Sequence, residues 1–150
     1  MCNVSLDERQ IKTLSNELSH LASMRNCSQC NNEKAFYKMY TATDAKLKEH
    51  YDHTERDTWD EYERYDDQLH ANAQLLRRVF GIDVHWKSNA HGYITSIIVE
   101  LSPHIGDTIE INVNLQHYIL KWLADEEKRV YQKYFKCADY ITDEITNGGY

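Results

Sequence analysis

The stretch "EKAFYKMYTATDAKLKEHYDHTERDTWDEYERYDDQLHANAQLLRRVF", Glu33 to Phe80, contains neither proline nor glycine, and Gly81 follows it directly. A glycine in that place is the usual left-handed terminator of a helix. Within the stretch Phe36, Leu47, Thr58, Leu69 and Phe80 recur every eleven residues, as do Tyr40, Tyr51 and Tyr62, with Ala73 next. Eleven residues are three turns at about 3.67 residues per turn, so these positions stay on one stripe of a nearly straight helix. The spacing predicts one very long helix over about 33–80. At ~1.5 Å per residue it would reach ~70 Å, and a rod of that length needs partners along it, because an isolated helix gains little from propensity alone. Thr54 with Asp57, and Thr58 with Glu61, also resemble helix starts, so a break between 53 and 58 is the competing reading.

Upstream, "SLDERQIKTLSNELSHLASM" opens with Ser5 and Glu8 at capping-box spacing and carries Ile11, Leu14, Leu18 and Leu21 at helical intervals. It predicts a first helix from about 5 to 24, ended by the polar run "RNCSQCNN", where the chain would turn back into the long helix. Downstream of Gly81, "IDVHWKS", "GYITSIIVEL" and "DTIEINVN" are rich in β-branched and aromatic residues and are separated by "NAHG" and "SPHIG". That is the pattern of a three-stranded antiparallel meander over about 82–113. Asn114 is then placed to cap a last helix whose apolar stripe is Leu120, Leu123, Val130, Tyr134, Ala138, Ile141 and Ile145. The expected fold is a single mainly helical α+β domain over 1–150, made of an N-terminal helical hairpin with one very long arm, a small antiparallel sheet and a C-terminal helix packing back.

Composition agrees with long helices. One proline and five glycines in 150 residues leave little turn punctuation, while eleven tyrosines supply rings that bury a face and keep a hydroxyl for water. The opening "MCNVSLDERQIK" has no apolar run of signal-peptide length, and "GYITSIIVEL" is too short and polar to span a bilayer. A soluble cytoplasmic protein without membrane contact is expected. In that setting Cys2, Cys27, Cys30 and Cys137 read as reduced thiols or ligands, not as a disulfide framework.

Charge is concentrated. Residues 51–70 hold eight carboxylates, four aromatic rings and two arginines, and account for six of the seven net negative charges. A negative chain of this kind is not expected to bind nucleic acid directly, since that attraction needs surplus lysine and arginine. On a helical projection Tyr51, Thr58, Tyr62, Tyr65 and Leu69 fall within about 40° of one direction, whereas Asp52, Asp60, Glu63 and Asp67 lie about 100–180° away, with Trp59 and Asp66 on the shoulder. A solubilising face explains such a run most simply. The sharper reading is a docking flank for a basic protein surface: Trp59 is the desolvated anchor, and Asp52, Asp60, Glu63, Asp66 and Asp67 steer and select the partner. The last helix has Lys128, Arg129, Lys133 and Lys136 roughly opposite its apolar stripe, which turns them away from any core shared with that flank.

Other constellations are weaker. "ELSH" (Glu17, His20) and "DQLH" (Asp67, His70) have the three-residue spacing of di-metal bundles, but both pairs fall off the apolar stripes, and such centres need inward pairs. "CSQC" offers Cys27 and Cys30 as half of a zinc site, with His20, Cys2 or Cys137 available to complete it. No strand-to-helix context supports redox chemistry at that pair. His85 and His91 near the meander lack a nucleophile, a phosphate-binding loop or an inward carboxylate pair. The resulting expectation is a non-enzymatic binding or inhibitory protein without a cofactor, in the style of phage-borne inhibitors of host nucleic-acid enzymes, an analogy of style alone. The alternative is a small zinc protein centred on Cys27 and Cys30. The unmatched rod also makes a symmetric homodimer an expectation.

Overall fold

The computed structural model describes residues 6–102 and 107–134. The chain divides into two units, one through Asn114 and one from Leu115. The first contains helices α1 (Glu8–Thr41) and α2 (Ala45–Phe80) and strands β1 (Asp83–Ser88), β2 (Ile94–Ser102) and β3 (Asp107–Asn112); the second contains α3 (His117–Tyr134).

Asp7 starts α1: its carboxylate accepts the Gln10 amide at 2.8 Å, and the Gln10 side chain accepts the Asp7 amide at 3.0 Å. This is the reciprocal capping box, two residues beyond the pair read from the sequence, of which Ser5 lies outside the described residues. α1 then continues through "RNCSQCNN" and stops only at Ala42, whose extended backbone ends the ladder. Asp44 caps α2 by accepting the Lys46 amide at 2.8 Å. The hairpin turn is therefore at 42–44, and the helix expected over about 33–80 is the end of one arm plus the whole of the other. The competing break at 53–58 is absent: Thr54 and Thr58 sit inside α2 and donate back to the carbonyls of His50 and Thr54.

The arms run antiparallel, since cross-arm partners fall in number on α2 as they climb on α1: Arg25 with Asp66, Ser28 with Glu61, Asn32 with Glu55. At 34 and 36 residues, each arm is about 50 Å long. The polar run is helical because its polar side chains have cross-arm or sheet partners, so a helix through it leaves them satisfied. Asn26 shows this most plainly: fully buried on α1, it donates to the Ile94 carbonyl and accepts the Ile94 amide, both at 2.9 Å.

The sheet is an antiparallel meander in the order β1-β2-β3. Val84 and Ile109 flank Val99, and Trp86 and Ile111 flank Ile97, so alternate residues present one apolar face. That face covers the open end of the hairpin. Ile94, Ile97 and Val99 form a core with Leu18 and Ala22 of α1 and Leu69 and Leu76 of α2, closed by Ile82 and Val113. The helical members of this core all lie at the open end, and towards the tip Phe36, Tyr40 and Leu47 are 52, 79 and 49% exposed. In α3 the first amides, of Ile119 and Leu120, bond to the Gln116 carbonyl. The helix thus begins two residues beyond the position at which Asn114 would cap it.

Gly81 ends α2 at φ 66°, its amide donating to the Arg77 carbonyl at 3.0 Å. Nothing lies within 4 Å of where a Cβ would be, so Gly81→Ala should cost about 1–2 kcal/mol through the backbone alone, read as a lower denaturation midpoint with unchanged slope. Asn26→Leu is expected to cost more, about 2–4 kcal/mol, because two buried backbone groups lose their partner. Equal stability of Asn26→Leu and wild type would show that Ile94 finds other partners.

Candidate functional site

Three polar layers climb the hairpin from the sheet towards the tip. The first is built on Arg25, a nearly buried cation. Its Nε donates to Asp66 Oδ1 at 2.7 Å, Nη2 to the Tyr62 hydroxyl at 2.9 Å, and Nη1 to the Gly92 carbonyl at 3.2 Å. Gly92 belongs to the β1–β2 turn and holds φ 85°, which aims its carbonyl at α1. Asp66 also approaches His70 Nδ1 at 3.5 Å, and the His70 ring stands edge-on to Trp86 of β1. Asp66 is thus ion-paired inside the hairpin, whereas Glu61 and Glu55 of the same segment meet α1 only through hydrogen bonds from Ser28 and Asn32.

The second layer joins α1 to the same turn. Gln29 donates to the His91 carbonyl at 2.9 Å, and the wholly buried Tyr93 donates to Glu33 Oε2 at 2.6 Å. Burial first, and the adjacent Glu33 carboxylate second, push the Tyr93 hydroxyl far above the usual tyrosine range. Burial likewise raises the Cys30 thiol beside it.

The third layer lies beyond the sheet. Trp59, 45% exposed, tilts against Tyr62 with centroids 5.3 Å apart. It separates two clefts between the arms, one of about 150 Å³ with Gln29, Asn32, Glu33 and Tyr62, the other of about 410 Å³ with Asn32, Glu55, Arg56 and Asp60. Asn32 bridges the arms here, donating to the Glu55 carbonyl at 2.8 Å. Asp52 pairs with Arg56 at 3.0 Å on the surface. Asp57, Asp60, Glu63 and Asp67 are exposed, and among the described residues none of the four has an ion-pair partner within 4 Å.

The residues read as metal ligands do not converge in the same way. Cys27 and Cys30 share α1, where Cys30 is buried, and His20 is exposed seven residues before Cys27, about 10 Å along the axis. Among the described residues no group of three or more His, Cys, Asp or Glu is arranged to hold a metal ion. Cys2 and Cys137 lie outside the described residues. His85, on a strand, and His91, in a turn, are both exposed.

Arg25, Gln29 and Asn32 organise this region and fall in the run read as a loop. One signal marks them: Leu14, Leu18, Leu21, Arg25, Ser28 and Asn32 keep the three-and-four spacing of the helix, with polar residues replacing leucines.

A raised tyrosine pKa stabilises the fold below the unfolded value of about 10, and that contribution is lost as pH climbs towards the folded value. Denaturation curves from pH 8 to about 11.5 should show wild type losing stability more steeply than Tyr93→Phe, whereas parallel decline would place the hydroxyl in water. No family model, no curated protein and no solved structure matches this chain.

Proposed function

We propose that this chain is a non-enzymatic docking protein that engages a basic protein surface through the acidic flank of α2, and that it acts by occupying that surface. The observation carrying this reading is Trp59, half-exposed between two clefts whose charged lining is Glu33, Glu55 and Asp60 with Arg56. An exposed indole amid carboxylates suits a lysine- or arginine-rich partner, whose cations gain from both the ring face and the charge. A surface that otherwise holds nucleic acid has that chemistry. The contact set narrows to Asp52, Trp59, Asp60, Glu63 and Asp67, because Arg25 holds Asp66.

Charge over this flank should speed encounter at low salt and lose that effect as the screening length contracts to about 8 Å at physiological salt. The immobilised chain is expected to retain basic proteins from a lysate at low salt and release them as salt rises. The triple variant Asp60→Lys, Glu63→Lys, Asp67→Lys, with unaltered circular dichroism and melting temperature, should retain none of them. For an isolated partner, Trp59→Ala is expected to weaken binding at least tenfold, or about 1.4 kcal/mol or more. Equal retention by the triple variant, or an association rate indifferent to salt, would remove the proposal.

A further inference from the structure

The smaller of the two clefts beside Trp59, about 150 Å³, is lined by Gln29, Asn32, Glu33, Trp59 and Tyr62. Its parts are complementary to a cation. Two rings line it, their centroids 5.3 Å apart, and ring faces attract positive charge. The single carboxylate is fixed in place, because Gln29 donates to Glu33 Oε1 at 3.2 Å and Tyr93 to Oε2 at 2.6 Å. The third part is an unused acceptor. Asn32 donates its side-chain nitrogen to Glu55 and Thr58 of α2, whereas its Oδ1 accepts no hydrogen bond among the described residues. The protein's own cations beside these rings are already paired. Arg25 takes one face of Tyr62 at 4.8 Å but is neutralised by Asp66 at 2.7 Å, and Arg56 is joined to Asp52 at 3.0 Å.

We infer that this cleft takes the unmodified ammonium group of one lysine of the partner. The inference rests on the docking role proposed above and names the side chain through which that surface is read. Size is the first reason: the volume is that of about five waters, enough for the end of one side chain and too little for a folded segment. Hydrogen-bonding capacity is the second. A guanidinium is held best by a carboxylate that offers both oxygens to its planar fork. Both oxygens of Glu33 already receive a donor, so the capacity that remains suits a compact ammonium, which needs one lone pair at a time. The same ammonium has N–H groups left for Asn32 Oδ1 and presents its charge to Trp59. Trimethylated lysine has no proton to give to Asn32, and acetyl-lysine has no charge to give to Glu33 or the rings.

Blocked glycine pentapeptides with lysine, arginine, acetyl-lysine, trimethyl-lysine or norleucine at the centre test this on the full chain. The readout is the indole N–H signal of Trp59 and the side-chain amide signal of Asn32 in nitrogen-edited NMR spectra at physiological salt, where the field of charges outside the cleft is screened. The lysine peptide should move both signals saturably. It is expected to bind at least tenfold tighter than the acetyl-lysine and norleucine peptides, and severalfold tighter than the arginine and trimethyl-lysine ones. Glu33→Gln should weaken it at least tenfold. Because Glu33 also holds Tyr93, Trp59→Leu, which changes an exposed ring, is the second variant and should weaken it severalfold at an unaltered melting temperature. Glu63→Lys, outside the cleft, should leave the affinity within twofold. Failure of the lysine peptide to move the two signals, equal binding of the acetyl-lysine or norleucine peptide, tighter binding of the arginine or trimethyl-lysine peptide, or indifference to both cleft variants overturns the inference. Salt-dependent lysate retention that the triple variant still abolishes would in that case leave the charge-driven docking role standing; its failure as well removes both.

Discussion

One guanidinium ties the first unit together. Arg25 reaches Asp66 and Tyr62 on the opposite arm and the Gly92 carbonyl in the β1–β2 turn, so it joins three segments far apart in sequence. A cation so nearly enclosed is tolerated only because its donors meet a carboxylate, a hydroxyl and a carbonyl. Its partners are constrained in return. The arms are registered by Arg25 and Asn32, and the sheet is set against α1 by Asn26 and Ile94. Apolar packing of Leu18, Ala22, Leu69 and Leu76 supplies most of the burial at the open end. Packing of that kind is tolerant of register, whereas directional polar contacts are not, so the polar layers specify which turn of α2 faces which turn of α1.

The hairpin is consequently uneven along its length. At the open end it is sandwiched against the sheet; at the tip, among the described residues of this unit, each arm packs mainly on the other, and Phe36 and Tyr40 are exposed. A helical pair with little tertiary burial stands at the low end of the local stability scale and is the part most free to adapt to a ligand. The division also explains why acid can gather on α2. Near the sheet, Asp66 has to be neutralised and is; beyond it, Asp60 and Glu63 remain in high dielectric at little cost to folding.

Much of this was legible in the residues. The β-branched runs and the "NAHG" turn correspond to the meander, Gly81 takes the left-handed conformation its place implies, and Trp59 sits on the edge between buried and charged zones. What misled was polarity. "RNCSQCNN" looks like a loop because its side chains prefer water, and only long-range partners at residues 55–66 and 91–94 make it helical. No local pattern contains those partners. The true turn, "TATD", has neither glycine nor proline and is marked chiefly by Asp44 as a cap. The eleven-residue spacing ran across that turn because Phe36 and Leu47 flank the tip from opposite arms. The inward pairing of Asp66 was invisible for the same reason, since Arg25 is 41 residues away.

The short link at 42–44 carries a practical corollary. Among the described residues it faces solvent, contributes no core side chain and bonds only to the two helix ends it connects. The arms are held to each other by their own side chains, so severing the chain there would leave two fragments with complementary surfaces and every cross-arm bond intact. The tip is accordingly the natural place to split the molecule for reassembly, or to graft a reporter peptide, without disturbing the sheet.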